Sequence, residues 1–273
     1  MTASIVPRVS AKDLGPAGFA RYVAEGRPVV LTDFAEGWAA TRSLAPKALA
    51  ERHGDVVVSA MGWQGDRIPD GLRYAWVKDR LGTWLDRLSS NESTGHLYAA
   101  FPLPALGAEV MKDLAPLGPW LAGARGKRRP PELWLNGARS VTPVHFGVSH
   151  ALVVQLHGRR AITLYAPEDA AFLGYPDPAT RSFGPRAVTF LSLDLDAPNH
   201  AQLPRFGQAR PLMAEVGPGD AVFLPSRWVQ LTRHPELSVA VSQFWSTPGT
   251  YLKNLDVFAR TLVRKATEPA RAG

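Results

Sequence analysis

The segment from Trp134 to Gly147, WLNGARSVTPVHFG, decides the fold. Two runs rich in apolar and β-branched residues, Leu133–Leu135 and Val141–Phe146, flank an Asn-Gly break. Outward from it the same texture continues to about residue 246. Leu152–Leu156, Ala161–Tyr165, Ala221–Leu224 and Leu237–Phe244 are further short strand candidates. Turn residues at Gly158, Gly217-Pro218-Gly219-Asp220 and Pro235-Glu236 separate several of them. Many short strands punctuated this way predict a sandwich or a jelly-roll barrel.

On either side the spacing becomes helical. Residues 16–25 read as a short helix with Gly26 after its end, and residues 46–52 as another. Trp84, Leu85 and Leu88 share one face of a helix over residues 83–90, and a further helix is expected over residues 104–114. Pro28–Thr32 and Val56–Val58 are short β runs. From Thr250 to Ala266 the apolar set Leu252, Leu255, Val257, Phe258, Leu262 and Val263 predicts a C-terminal helix. The expected organisation is residues 1–130 as helices and strands packing on the barrel, 131–247 as the barrel, and 248–273 as C-terminal helix and tail.

Composition narrows the chemistry. The chain has 273 residues and no Cys, which excludes disulfides, thiolate metal sites, iron–sulfur clusters and cysteine nucleophiles. Its hydrophobic fraction of 45% is that of a chain able to form a packed core. Lys and Arg exceed Asp and Glu, 31 against 24, giving a net charge of +7. The dense basic run Arg125, Lys127, Arg128 and Arg129 reads as a solvated loop, so nucleic-acid binding is not supported. The sequence lacks an apolar run of about 18 residues and an evident signal pattern; a cytoplasmic protein is the expectation. Phosphate-loop, Rossmann and nucleophile-elbow motifs are missing.

The succession of motifs is more informative than any one of them. WLNGARSVTPVHFG is followed by QLHGRR at 155–160, LYAP at 164–167, GPGDAVFLPSRWVQ at 217–230 and VSQFW at 241–245. In order and spacing this resembles the Jumonji-C/cupin-like family of Fe(II)- and 2-oxoglutarate-dependent oxygenases, over roughly residues 28–246. The resemblance implies an α+β, mainly β chain: a double-stranded β-helix (jelly-roll) core with N-terminal helices and strands and a C-terminal helix. It also implies hydroxylation of a peptide or small metabolite. Iron would be held by a His and an acid at i and i+2 on one strand face, plus a distant His.

By that resemblance His145 matches the first metal ligand. Gly147 stands where the acid belongs, and Gln230 where the second His belongs. Thr142 matches a hydroxyl near the co-substrate, and Arg160 replaces the lysine that holds its far carboxylate. Tyr98 matches a tyrosine that also reaches it. Ala151 and Gln243 stand at positions where the hydroxylases carry Asn. The cofactor-binding candidates are thus Thr142, Arg160, Tyr98 and Gln243, and the metal candidates His145 and Gln230. Loss of the acid resembles the non-haem iron halogenases, although those keep two His. His234 is a distant substitute for the missing imidazole, and His150 points away from His145.

Three readings stay open. One is an atypical Fe(II)/2-oxoglutarate oxidoreductase. The second is a metal-independent interior that binds an anionic small molecule or performs a redox-neutral step. The third is an interaction protein in which the barrel is scaffold. A homodimer through the C-terminal helix is compatible with each.

Overall fold

The computed structural model describes residues 4–62, 75–90, 98–122, 126–176, 181–183, 188–191 and 193–267. Eight strands build the barrel: β1 (Glu132–Asn136), β2 (Ser140–Gly147), β3 (His150–His157), β4 (Arg160–Tyr165), β5 (Leu212–Val216), β6 (Ala221–Leu224), β7 (Val229–His234) and β8 (Ser238–Ser246). One sheet has the order β6-β3-β8-β1 and the other β5-β4-β7-β2. All of these pairings are antiparallel. Strands that follow one another in sequence thus mostly alternate between the two sheets, which is the double-stranded β-helix expected from the sequence.

Segments from the N-terminal part extend the first sheet. Val29–Thr32 pairs with β6, and Tyr98–Pro102 pairs with β1. In the second sheet Val188–Phe190 pairs with β2.

The alternation of side chains sorts the core into layers. Ala151, Val153, Val222, Leu224 and Ala240 of one sheet face Ile162, Leu164, Ala214 and Val216 of the other, inside the barrel. Leu152, Val154, Phe223, Val239, Val241 and Trp245 point the other way and pack with Phe19, Trp84, Leu85 and Leu88 of the N-terminal helices. Trp245 stacks on Phe223 with ring centroids 5.8 Å apart. The outer face of the second sheet places Val144, Phe146, Tyr165, Val229 and Leu231 beside Leu173, Tyr175, Leu191 and Val257. Each large apolar side chain buried this way contributes about 1.5–3 kcal/mol.

Several elements differ from the sequence expectations. The helix over 104–114 is broken: a 3-10 turn, Leu103–Leu106, ends at Gly107, whose φ of 101° no helix accepts, and Ala108–Lys112 follows. The first helix is longer, Ala11–Glu25, with a kink at Gly15 (φ 61°). Strand β5 and the hairpin partner Ala75–Arg80 of Val57–Gly62 were not expected. Lys127–Arg128 is a short strand against Trp245 and Ser246 rather than a loop, while Arg125 lies outside the described residues.

The C-terminal helix is two helices, Pro248–Lys253 and Leu255–Thr267. They meet at Asn254, which is fully buried. Its Nδ2 donates to Thr250 O (2.6 Å), to Ser226 Oγ (3.0 Å) and to Val148 O (3.3 Å). Arg227, at φ 70°, donates to Asp256 Oδ1 (2.5 Å) and Lys253 O (3.0 Å), and its backbone N–H bonds Gly147 O at 2.9 Å. Thus the helix pair is tied to the loop that leads into β7. Leu252, Leu255, Leu262 and Val263 remain exposed on it. Among the described residues no helix is long and apolar enough to cross a membrane.

Candidate functional site

The inward rows of β2 and β7 carry the polar residues. His145 lies directly opposite Gln230, and Thr142 opposite Thr232. Three steps along β2 match two along β7, so β2 carries a bulge around Pro143 and Val144. The bulge keeps Thr142, His145 and Gly147 on one face while Val144 and Phe146 point outward into the core. Thr142, His145, Gly147 and Gln230 are each partly solvent-accessible, whereas Val144, Phe146, Val229 and Leu231 are buried. On these two strands the inward row is thus the more accessible one.

Arg160 occupies the deeper end. It is buried, and its Nε donates to Gln155 Oε1 at 2.6 Å. The Gln155 amide nitrogen is anchored on His157 O (2.7 Å) and Gly158 O (2.9 Å), which turns the oxygen toward Arg160. Glycine at 158 is required for that: its φ is +65°, and a Cβ would stand 2.2 Å from Leu237 O. Arg160 Nη2 is buried without any hydrogen-bond partner. Among the described residues no acid forms an ion pair with it. Asp169, for example, accepts from the Arg210 backbone at 2.9 Å. Burial lowers the Arg160 pKa to about 10, so it stays cationic at neutral pH.

His234 flanks this end, a placement the sequence reading missed. Its Nδ1 is 2.9 Å from Ser238 Oγ and its Nε2 is 3.4 Å from Thr142 Oγ1. It is four residues along β7 from Gln230, roughly 13 Å of strand, so it does not join His145. Strand alternation from Gln230 was the signal that could have put it on the inward row. Burial, and then the neighbouring Arg160 charge, hold its pKa well below the ordinary histidine value.

At the other end, His145 Nδ1 bonds Pro143 O at 2.7 Å. A carbonyl only accepts, so Nδ1 carries the proton and Nε2 presents a lone pair. Desolvation lowers the His145 pKa to about 4, partly opposed by that backbone bond. Among the described residues a Cβ at Gly147 would approach nothing closer than Ser149 O at 3.8 Å, and its φ is not positive. Neither sterics nor backbone conformation demands glycine there.

This donor set does not fit a facial iron triad. One imidazole, one neutral amide oxygen and no carboxylate are a weak site for a divalent first-row metal. Among the described residues no three His, Cys, Asp or Glu side chains cluster for a metal ion.

The remaining candidates fall elsewhere. Gln243 pairs with Leu152, whose side chain is on the outer, helix-packed face of the first sheet. Its Nε2 bonds Arg129 O (2.7 Å) and Phe244 O (3.1 Å). The structure does not bring it to the other cofactor-binding candidates. The Tyr98 backbone pairs with Asn136, and its side chain lies outside the described residues. Ala151 belongs to the inner apolar cluster. His150 packs against both Phe223 and Trp245 on the outer face and accepts from Ser226 N–H at 3.2 Å.

These histidines set an acid limit. Burial, then the Lys253 charge, lowers the His150 pKa to about 4, as desolvation does for His145. The unfolded chain binds protons near pH 6.5 and the native state does not until about pH 4. Their stabilisation is therefore complete above pH 6.5 and is lost as pH falls toward 4. Thermal melts between pH 7.5 and 4.5 are expected to show a steady fall in Tm below pH 6.5. A flat profile would contradict the burial of neutral rings.

Comparison with known proteins agrees with this architecture. The chain is 26% identical over 253 residues to the human bifunctional peptidase and (3S)-lysyl hydroxylase JMJD7, covering 82% of this chain and 78% of that protein. It is 31% identical over 124 residues to the Arabidopsis thaliana lysine-specific demethylase JMJ31, covering 45% of this chain but 21% of the relative. It is 32% identical over 101 residues to zebrafish (Danio rerio) tRNA wybutosine-synthesizing protein 5, covering 37% of this chain and 28% of that protein. The family model of the cupin-like domain matches residues 16–251, from the first helix through β8 and into the C-terminal helix pair. With that match across most of its length, and the interleaved eight-stranded barrel that it predicts, the chain belongs to the cupin-like domain family.

Proposed function

We propose that the barrel interior binds a carboxylate without a metal, anchored on Arg160. The observation that carries this reading is the buried Nη2 with no partner. Burying a guanidinium costs several kcal/mol unless its donors are paired. A carboxylate accepting from it would supply both charge and acceptors. Thr142 and His234 flank the same place and offer further hydrogen bonds. The relatives' names describe a hydroxylase and a demethylase. Oxidation of a peptide or metabolite with Fe(II) and 2-oxoglutarate would need metal ligands that Gly147 and Gln230 do not provide.

Isothermal titration with short-chain carboxylates tests the reading. Binding is expected to persist in excess EDTA. With Fe(II), 2-oxoglutarate and air, no succinate above the His145→Ala background is expected. Chelator-sensitive binding, or succinate that disappears in His145→Ala, would favour an oxygenase instead.

A homodimer through the C-terminal helices is the quaternary reading. Leu252, Leu255, Leu262 and Val263 are exposed on a helix pair otherwise anchored through Asn254 and Val257. Light scattering is expected to give twice the monomer mass, and Leu255→Glu with Leu262→Glu to give the monomer mass. A wild-type monomer at micromolar concentration would refute it.

A further inference from the structure

Arg160 is held in place by a side chain that does not neutralise it. Gln155 stands on the inward row of β3, two residues beyond Val153, and is fully buried. Its backbone is pinned to the turn before β6: its N–H donates to Asp220 O and its carbonyl accepts from Gly219 N–H, both at 2.9 Å. Both hydrogens of its amide are spent on His157 O and Gly158 O. Oε1 is thereby turned toward Arg160, where it accepts from Nε at 2.6 Å. A flipped amide would set an oxygen against two carbonyls and an NH2 group against a guanidinium donor.

Neither a carboxylate nor a hydrocarbon at 155 meets both demands. A carboxylate would face the same two carbonyl oxygens and would cancel the Arg160 charge. A hydrocarbon would leave Nε unpaired and the guanidinium free to turn. A guanidinium has two edges that can offer a pair of parallel N–H bonds, one containing Nε and one made of Nη1 and Nη2. Gln155 occupies the first. The second is left over: Nη2 is buried without a partner, and among the described residues Arg160 makes no side-chain hydrogen bond except that to Gln155.

Resting on the carboxylate-anchor reading above, we infer that Gln155 is a positioning residue: it fixes the guanidinium so that the Nη1–Nη2 edge receives the ligand end-on. The anchoring group is then a planar anion with two oxygens on one edge, taken by two parallel bonds rather than by charge alone. Because the fork is set before the ligand arrives, little orientational freedom is left to lose on binding. A spherical anion of the same charge gains nothing from that arrangement, so the site selects by shape.

The test titrates the wild-type protein in EDTA with propionate and, in competition, with bromide. Propionate is expected to bind at least tenfold more tightly. Gln155→Met is expected to reduce that ratio to about threefold or less while bromide affinity stays nearly unchanged. A side chain that only supports the fold would weaken both anions alike. In nitrogen-15 spectra the Arg160 Nε–H signal is assigned by its absence in Arg160→Met. It is expected to hold its position when propionate is added, while the Nη signals move. These spectra read the wild-type side chain, so they decide the matter even if Gln155→Met fails to fold. Bromide binding as tightly as propionate, a ratio unchanged in folded Gln155→Met, or an Nε–H signal that moves more than the Nη signals would overturn the inference and leave the Arg160 anchor standing. No propionate binding, or binding unchanged in Arg160→Met, would overturn the anchor and the inference together.

Discussion

Replacing Arg160 by methionine is expected to abolish carboxylate binding and yet raise the melting temperature of the ligand-free protein. Both effects follow from the same buried guanidinium. Its Nε is paired with Gln155 Oε1, but Nη2 has no partner, and among the described residues no acid forms an ion pair with it. Removing the cation deletes the one strong anchor for an anion, so affinity is expected to fall at least 100-fold, or about 2.7 kcal/mol. In the absence of ligand the cation is a liability. Its desolvation costs several kcal/mol, while methionine fills similar space with apolar atoms. The substitution does strand Gln155 Oε1, at about 1–3 kcal/mol. The balance favours the variant, by about 2–4 °C in Tm if the net gain is near 1 kcal/mol. Titration calorimetry and a thermal melt on the same sample check both halves. A Tm that falls together with lost binding would mean that Arg160 holds the fold together rather than waiting for a ligand.

The double substitution Gly147→Asp with Gln230→His is expected to strengthen Fe(II) binding at His145 at least a thousandfold. His145 already presents Nε2 inward. Residue 147 shares its face at i+2, and residue 230 lies directly across in register. Among the described residues the closest atom to a Cβ at 147 is 3.8 Å away, an ordinary van der Waals distance. Two imidazoles and a carboxylate then meet the requirement that one imidazole and an amide do not. Anaerobic titration is expected to move the Fe(II) dissociation constant from millimolar or weaker into the micromolar range, a gain of about 4 kcal/mol or more. Each single substitution is expected to gain much less. If the double variant folds and binds no more iron than wild type, the strand register around His145 differs from that described.

The barrel was legible because its strands are short, apolar and cleanly punctuated. Ala221–Leu224 was bounded to the residue, and β2, β3 and β4 to within two. Strand β5 was missed because Leu212–Val216 carries Met213 and Glu215 on its outward row and has no bulky β-branched run. The inward partners of Arg160 were less legible than Arg160 itself. Nothing in the spacing of Thr142, His145 and His234 reveals the bulge that puts Thr142 beside one histidine and three residues from the other. Gln243 shows the limit of face assignment on a strand buried on both sides. Val239 and Val241 share its face and Ala240 and Ser242 the other, and all four are buried. Without a polar row to mark solvent, alternation fixes the period but not which side is which.

The open surroundings of Gly147 have a genetic reading. Any glycine codon becomes an aspartate or a glutamate codon by one base change at its second position, and any glutamine codon becomes a histidine codon by one at its third. Among the described residues no side-chain atom lies within 4 Å of a Cβ built at 147. Two point mutations therefore separate this chain from one bearing a full set of metal ligands, with no compensating deletion needed. Each step toward a fuller donor set is thus a single-base change, and neither alters Arg160.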